Sequence, residues 1–232
     1  MQFVAYSRFL VIGGGRYQKQ TEVMDLTDTN ITCKTTYRDL ESQREYAVGG
    51  LINETPIVCG GRNLPEYYDS CITFGQTKTS IKMNEPRSSA ASVVLNETTL
   101  WIMGGLADSR YRILKSTELI TLDPATSVNG PALPKALAGS CAVKYNDTHI
   151  YLTGGNNGSE LTNDVWIYNT IVDAGSSSWI EGPRMNIARE CHGCTVLHHR
   201  QTSWVVVGGS YTNSYSKWME ILDPNDNKWI RG

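Results

Sequence analysis

The chain has 232 residues, of which 21 are Lys or Arg and 23 are Asp or Glu, for a formal charge of −2. Nucleic acid or an anionic membrane as principal partner would want a basic surplus, and none is present. Charged residues make up 19% of the chain and Gly numbers 21, which suits a β-rich chain with many turns. No apolar run approaches the roughly 18 residues that would insert in a bilayer.

The first element signal is Phe9-Leu10-Val11-Ile12, an apolar run closed by Gly13-Gly14. It returns as Pro56-Ile57-Val58-Cys59 before Gly60-Gly61, then as Leu100-Trp101-Ile102-Met103 before Gly104-Gly105. Ile150-Tyr151-Leu152-Thr153 precedes Gly154-Gly155, and Trp204-Val205-Val206-Val207 precedes Gly208-Gly209. A four-residue apolar run closed by glycines reads as a buried strand ending where the backbone turns tightly. Five of them at nearly even intervals form an internal repeat of close to 50 residues.

Each doublet is followed, after a polar loop, by a second strand signal. Thr21-Glu22-Val23-Met24-Asp25-Leu26, Cys71-Ile72-Thr73-Phe74, Ser116 to Asp123, Asp164-Val165-Trp166-Ile167-Tyr168 and Trp218 to Asp223 occupy this slot in turn. A further strand carries Trp179-Ile180-Glu181 and is echoed by Trp229-Ile230-Arg231. Small-residue strands such as Ala90 to Val94 and Gly139 to Val143 come before the doublet strands. Four short strands per unit describe a propeller blade, and no segment shows the periodicity of an amphipathic helix.

These residues resemble the kelch repeat family: the Gly pair, the following Glu-apolar strand, the outer-strand Trp, and the opening Arg at Arg87 and Arg189. The likeness runs along essentially the whole chain. It implies an all-β, kelch-type β-propeller of about five four-stranded blades, at 1–38, 44–84, 86–133, 137–183 and 188–232. The first inner strand lacks its opening and the last repeat stops at Gly232, so the expected arrangement is five blades cut from a longer ring, with a five-bladed ring closed by a ragged seam the alternative. Met1 to Leu10 does not read as a signal peptide.

On this architecture Cys59 and Cys71 flank one loop on adjacent strands, the separation a disulfide needs. Cys141 and Cys194 hold equivalent places in neighbouring inner strands and are the second candidate pair. Ordinary buried thiols are the alternative for all four. Five Asn-x-Ser/Thr sequons occur, at Asn30, Asn53, Asn96, Asn146 and Asn157. Those at Asn53, Asn96 and Asn146 align between first and second strands, where Asn and Thr also suit a plain hairpin turn. As glycosylation sites they would put sugar mostly on one face. Six Cys and five sequons together point to an extracellular, secreted glycoprotein, with a cytoplasmic location the alternative.

Cys191-His192-Gly193-Cys194, with His198 and His199 close behind, offers a poor metal site, because structural zinc needs four convergent ligands. His192 and Cys194 are expected on an inner strand, and His198 and His199 in a solvated hairpin turn. Neither a copper centre of the galactose oxidase kind nor a phosphate loop, nucleophile elbow or carboxylate dyad can be assembled, so no cofactor or catalytic residue is assigned.

The remaining signal lies in the loops after the doublet strands, which with the inter-blade connections form one face. They hold Arg16, Tyr17, Arg62, Tyr67, Tyr68, Arg110, Tyr111, Arg112, Asn156, Tyr211 and Tyr215. Arg and Tyr bring large contact area with directed donors, the properties of interface anchors. The expected function is a non-enzymatic extracellular interaction module whose protein or glycan partner, an anionic one by the low acidic count of these loops, docks on this face. The alternatives are an intracellular kelch-type substrate adaptor or cytoskeletal binder, and an enzyme with an axial pocket of the galactose oxidase or sugar mutarotase kind.

Overall fold

A computed structural model describes residues 4–5, 8–12, 19–25, 33–34, 39–75, 78–171, 179–199, 202–209, 211–212, 214–215, 218–223 and 226–232. The described residues contain no helix and build five four-stranded antiparallel sheets, each following chain order. Blade 1 comprises Val4–Ala5, Arg8–Ile12, Thr21–Asp25 and Cys33–Lys34. Blade 2 comprises Val48–Ile52, Thr55–Cys59, Ser70–Thr73 and Ser80–Lys82. Blade 3 runs through Ala91–Asn96, Thr99–Met103, Thr117–Leu122 and Ala125–Asn129. Blade 4 runs through Cys141–Lys144, His149–Thr153, Val165–Asn169 and Trp179–Glu181. Blade 5 holds Gly193–His199, Thr202–Gly208, Glu220–Asp223 and Lys228–Arg231. Two small ribbons, Arg62–Asn63 with Glu66–Tyr67 and Tyr211–Thr212 with Ser214–Tyr215, decorate the loops after the doublet strands.

The doublet strands are apolar on both faces because each central sheet is covered on both sides, so their sequences do not alternate. Leu100 and Ile102 of blade 3 pack with Ile57 and Cys59 of blade 2. Trp101 and Met103, pointing the other way, pack with Ile150 and Leu152 of blade 4. Tyr151 of blade 4 meets Val205 and Val207 of blade 5. The core is thus a series of layers between successive blades.

Between layers, the backbone makes one repeated joint. Gly60, Gly104 and Gly154 have φ of 64°, 61° and 57°, a region that side chains seldom adopt. A Cβ on them would stand 2.1, 2.3 and 2.4 Å from the carbonyl oxygens of Arg87, Leu137 and Arg189, each in the lead-in of the next blade. The second glycines donate their N–H to those same oxygens, Gly61 to Arg87 and Gly105 to Leu137 at 2.8 Å, Gly155 to Arg189 at 2.7 Å. The doublet is therefore a docking slot for the following blade's backbone.

In blade 5 the register differs from the sequence alignment. Gly208 ends the strand and pairs with Gly193, the place that Met103 holds opposite Ala91 and Thr153 opposite Cys141. Gly209, with φ of 80°, takes the place of the first glycine. Three consecutive valines fit either face of a strand, so the apolar pattern does not fix this one-residue choice.

The opening arginines bind their own blade. Arg44 Nη1 donates to the carbonyls of Gly60 (2.8 Å) and Ser70 (3.0 Å). Arg87 Nη1 donates to Gly104 (2.8 Å) while Nη2 meets Glu118 at 2.7 Å. Arg189 repeats this with Gly209 (2.7 Å) and Glu220 (3.1 Å). Glu118 and Glu220 also accept backbone N–H groups, from Asn84 and Glu85 and from Asn186 and Ile187. Blade 4 has Leu137 at the arginine position. There Ser140 Oγ donates to the Gly154 carbonyl (2.8 Å) and Lys135 pairs with Asp164 (2.8 Å).

Removing one member of a fully buried ion pair strands the other charge, at about 3–5 kcal/mol, while replacing both by apolar groups is close to neutral. Arg87→Leu should therefore lower unfolding stability by about 3–5 kcal/mol in urea titrations, and Arg87→Leu with Glu118→Leu should recover most of it. Equal loss in single and double variants would show that the pair does not hold the joint.

Candidate functional site

The lead-ins of blades 2 to 5 each turn through a residue of positive φ: Tyr46 (55°), Ser89 (50°), Gly139 (68°) and Cys191 (52°). The N–H of Ser89 donates to Tyr46 (2.9 Å), that of Gly139 to Ser89 (2.7 Å) and that of Cys191 to Gly139 (2.7 Å). This head-to-tail line of peptide groups forms a rim beside the inner strands. Isolated bridges pair Glu45 with Arg62, Ser88 with Leu106 and Ala138 with Asn156. They bring the loops after the doublets onto the same rim.

A cavity of about 600 Å³ opens there, with walls from Tyr46, Leu106, Tyr111 and Ile113 and polar groups from Arg62, Ser89, Asn156 and Glu190. A second space, about 440 Å³, continues inward along Ser92, Cys141 and His192 and shares Tyr46, Ser89, Gly139 and Cys191 with the first. The Arg62 guanidinium lies 4.8 Å above the Tyr46 ring, donates to the Tyr67 hydroxyl at 3.4 Å and sits 3.9 Å from Glu45. Burial works against its charge, but these hydroxyl and carboxylate neighbours outweigh burial and hold its pKa above the ordinary value. Burial raises the Glu190 carboxyl, against a hydrogen bond from Asn156. Burial and then the Glu190 charge raise the Cys191 thiol, with Arg62 opposing. A thiol so placed is a poor nucleophile at neutral pH, because the thiolate is the reactive form.

Known proteins corroborate this architecture. The Kelch motif family model matches residues 138–186. Kelch-like protein 25 of Xenopus tropicalis is 33% identical over 145 residues, 56% of this chain and 22% of that protein. Kelch-like protein 21 of Rattus norvegicus is 35% identical over 86 residues, 35% of this chain and 14% of that one. The solved structure of YjhT superposes with a TM-score of 0.83 over 99% of this chain and 81% of its own, at 11% identity. This chain is a kelch-repeat β-propeller. It spans about a fifth of the length of the first-named curated relative, and the likeness to YjhT concerns the fold alone.

The propeller brings Arg62, Tyr111 and Asn156 together at the cavity. Tyr67 serves as partner to Arg62. Tyr68 lies within the blade-2 lock instead, its ring 4.4 Å from the Arg44 guanidinium. Arg112 is not a free cation: Glu85 (2.8 Å) and Asp108 (3.3 Å) hold it. Arg110 donates its backbone N–H to Asp108 at 2.9 Å. With Glu45 and Glu190 at the rim as well, the face is mixed in charge, a correction to the low acidity expected from the loops alone. Tyr211 and Tyr215 lie in their ribbon, and Arg16, Tyr17 and Asn30 fall outside the described residues. Tyr46, Ile113 and Glu190 line the site without having been singled out in the sequence, and Cys191, read there only as part of a poor metal site, lines it too. Tyr46, Glu190 and Cys191 stand at or beside the lead-in turns and Ile113 in the loop after the blade-3 doublet, positions that become readable only after the blades are aligned.

The structure joins Cys59 to Cys71 and Cys141 to Cys194 as disulfides. The second ties the inner strands of blades 4 and 5 and withdraws Cys194 from any metal set. His192 precedes the strand rather than lying in it, buried, with Nε2 2.8 Å from Thr153 Oγ1. His198 and His199 are strand residues opposite Ser203 and Thr202, not turn residues. Burial, then the Arg189 charge, lowers the His192 pKa to about 4.

The unfolded chain takes up that proton near 6.5, so His192 leaves stability unaffected above this pH. As pH falls from about 6.5 to about 4 the unfolded state binds the proton first, and stability drops by about 3 kcal/mol. Urea midpoints at about pH 7.5 and about pH 4.5 should differ accordingly, with the difference much reduced in His192→Gln. An unchanged difference in the variant would assign the acid sensitivity to other groups.

Proposed function

We propose that this kelch-repeat propeller is a protein-interaction module whose partner docks on the rim face around Arg62 and Tyr111. The observation that carries the reading is the cavity itself: about 600 Å³, with aromatic and aliphatic walls and a rigid, partly buried guanidinium at its edge. Tyr and Arg side chains around a concave surface are the residue types that form interface hot spots. The two titratable groups at the rim best placed for chemistry, Glu190 and Cys191, are both shifted toward their neutral forms. A carboxylate or sulfated sugar on the partner is the finer expectation, and Arg62 is the group that would receive it.

Two settings have support of different kinds. The similarity to Kelch-like proteins favours an intracellular substrate adaptor or cytoskeletal binder. The two disulfides favour a module that works in an oxidising, extracellular setting, since cytosolic thiols are kept reduced.

A photoreactive amino acid at Tyr111 should capture a partner from extracts of the native source, and the same group at Asp147, on the hairpin turns at the far end of the doublet strands, should not. Arg62→Ala should weaken binding of the captured partner about 30-fold, the size of a 2 kcal/mol hot spot. Equal capture at Asp147, or undiminished binding by Arg62→Ala, would remove the rim assignment.

A further inference from the structure

The edge opposite the rim carries its own repeated chemistry. In blades 3 and 4 the turn between first and second strands holds an exposed Asn followed two residues later by Thr: Asn96-Glu97-Thr98 and Asn146-Asp147-Thr148. The two turns share one hydrogen-bond set. Asn96 Oδ1 accepts the Thr98 N–H and the Thr98 hydroxyl, both at 2.9 Å. Asn146 Oδ1 accepts the Thr148 N–H and hydroxyl, both again at 2.9 Å, and also the His149 N–H at 2.7 Å. The carboxamide oxygen is thus fully used while Nδ2 projects from the turn. Donors on that oxygen draw charge from the amide nitrogen and make its protons easier to lose, which is what a poor nucleophile needs in order to react.

The other two described sequons lack this arrangement. The Thr55 hydroxyl donates to the backbone oxygen of Asn53 (3.2 Å), Asn53 and Glu54 both have positive φ, and Pro56 follows. Asn157 Oδ1 accepts only backbone N–H groups, from Ser159 and Glu160. Asn157 is also half-buried and adjoins Asn156 and Gly158 of the rim cavity.

From this difference we infer that Asn96 and Asn146 are N-glycosylation sites and that Asn53 and Asn157 are not. In the transfer, Nδ2 bonds to C1 of the sugar of a lipid-diphosphate-linked oligosaccharide. The C1–O bond to the diphosphate breaks, its electron pair leaves with the lipid diphosphate, and the displaced Nδ2 proton passes to a base of the transferase. The sugars would cover the edge away from the rim, leaving the docking surface open. The inference rests on the oxidising, extracellular setting supported by the disulfides.

The test is peptide mapping of the protein isolated from its natural source, with free thiols alkylated before any reduction. Glycan-releasing amidase in heavy-oxygen water converts each occupied Asn to labelled Asp. The expected result is label at Asn96 and Asn146, none at Asn53 and Asn157, and Cys141 protected from alkylation. Secreted expression of Thr98→Ala or Thr148→Ala should lose one glycan each, a discrete mass step. Unlabelled Asn96 and Asn146 alongside a protected Cys141 would overturn the glycosylation and leave the oxidising setting intact. Alkylated Cys141 with unlabelled asparagines would overturn both, and label at Asn53 or Asn157 would overturn the part assigned to turn geometry.

Discussion

A carbonyl oxygen from one blade seats on the paired glycines of the blade before it, and the remainder of the molecule is arranged around that contact. At 2.1 to 2.4 Å from where a Cβ would stand, the oxygens of Arg87, Leu137 and Arg189 exclude every residue but glycine from the slot. The second glycine supplies the N–H that satisfies the oxygen, so the joint is both a shape match and a hydrogen bond. Because the same segment then sends its arginine side chain back into its own blade, one short stretch ties two blades together. Blade 4 shows that the backbone part is the invariant one. It keeps the carbonyl through Leu137 and rebuilds the polar part from Ser140, Lys135 and Asp164.

The rim is a by-product of those joints. Having docked on the preceding blade, each lead-in must reverse to start an inner strand, and it does so through Tyr46, Ser89, Gly139 or Cys191 with positive φ. Their backbone groups satisfy one another in a line, so the cavity beside them is shaped by rigid main chain and coloured by side chains. Arg62 is braced by Tyr46 and Tyr67. The opposite ends of the doublet strands are short hairpin turns, tied between blades more sparsely, by the Asn53 N–H on the Glu97 carbonyl and the Lys144 ammonium on that of Leu95. Two chemically different edges follow from one meander.

The repeat, the strand order within each unit and the identity of the doublet as a strand terminus were all legible in the chain. They depend on local properties, namely β-branched runs and glycine punctuation, that survive without knowledge of neighbours. The exact register of blade 5 was not legible, since Val205, Val206 and Val207 are interchangeable to a periodicity argument. Loop composition picked out Arg62, Tyr111 and Asn156, which do converge. It could not separate them from Arg112, neutralised by Glu85 from another part of the chain, or from Tyr68, turned inward under Arg44.

By itself the sequence determined that this chain forms four-stranded units in series, because hydrophobic period and turn chemistry act over a few residues. The tertiary structure alone decided which cations are spent on partners and where Glu190 and Cys191 lie. Those properties depend on distances between residues as many as tens of positions apart. Only the stacking of blades sets such distances.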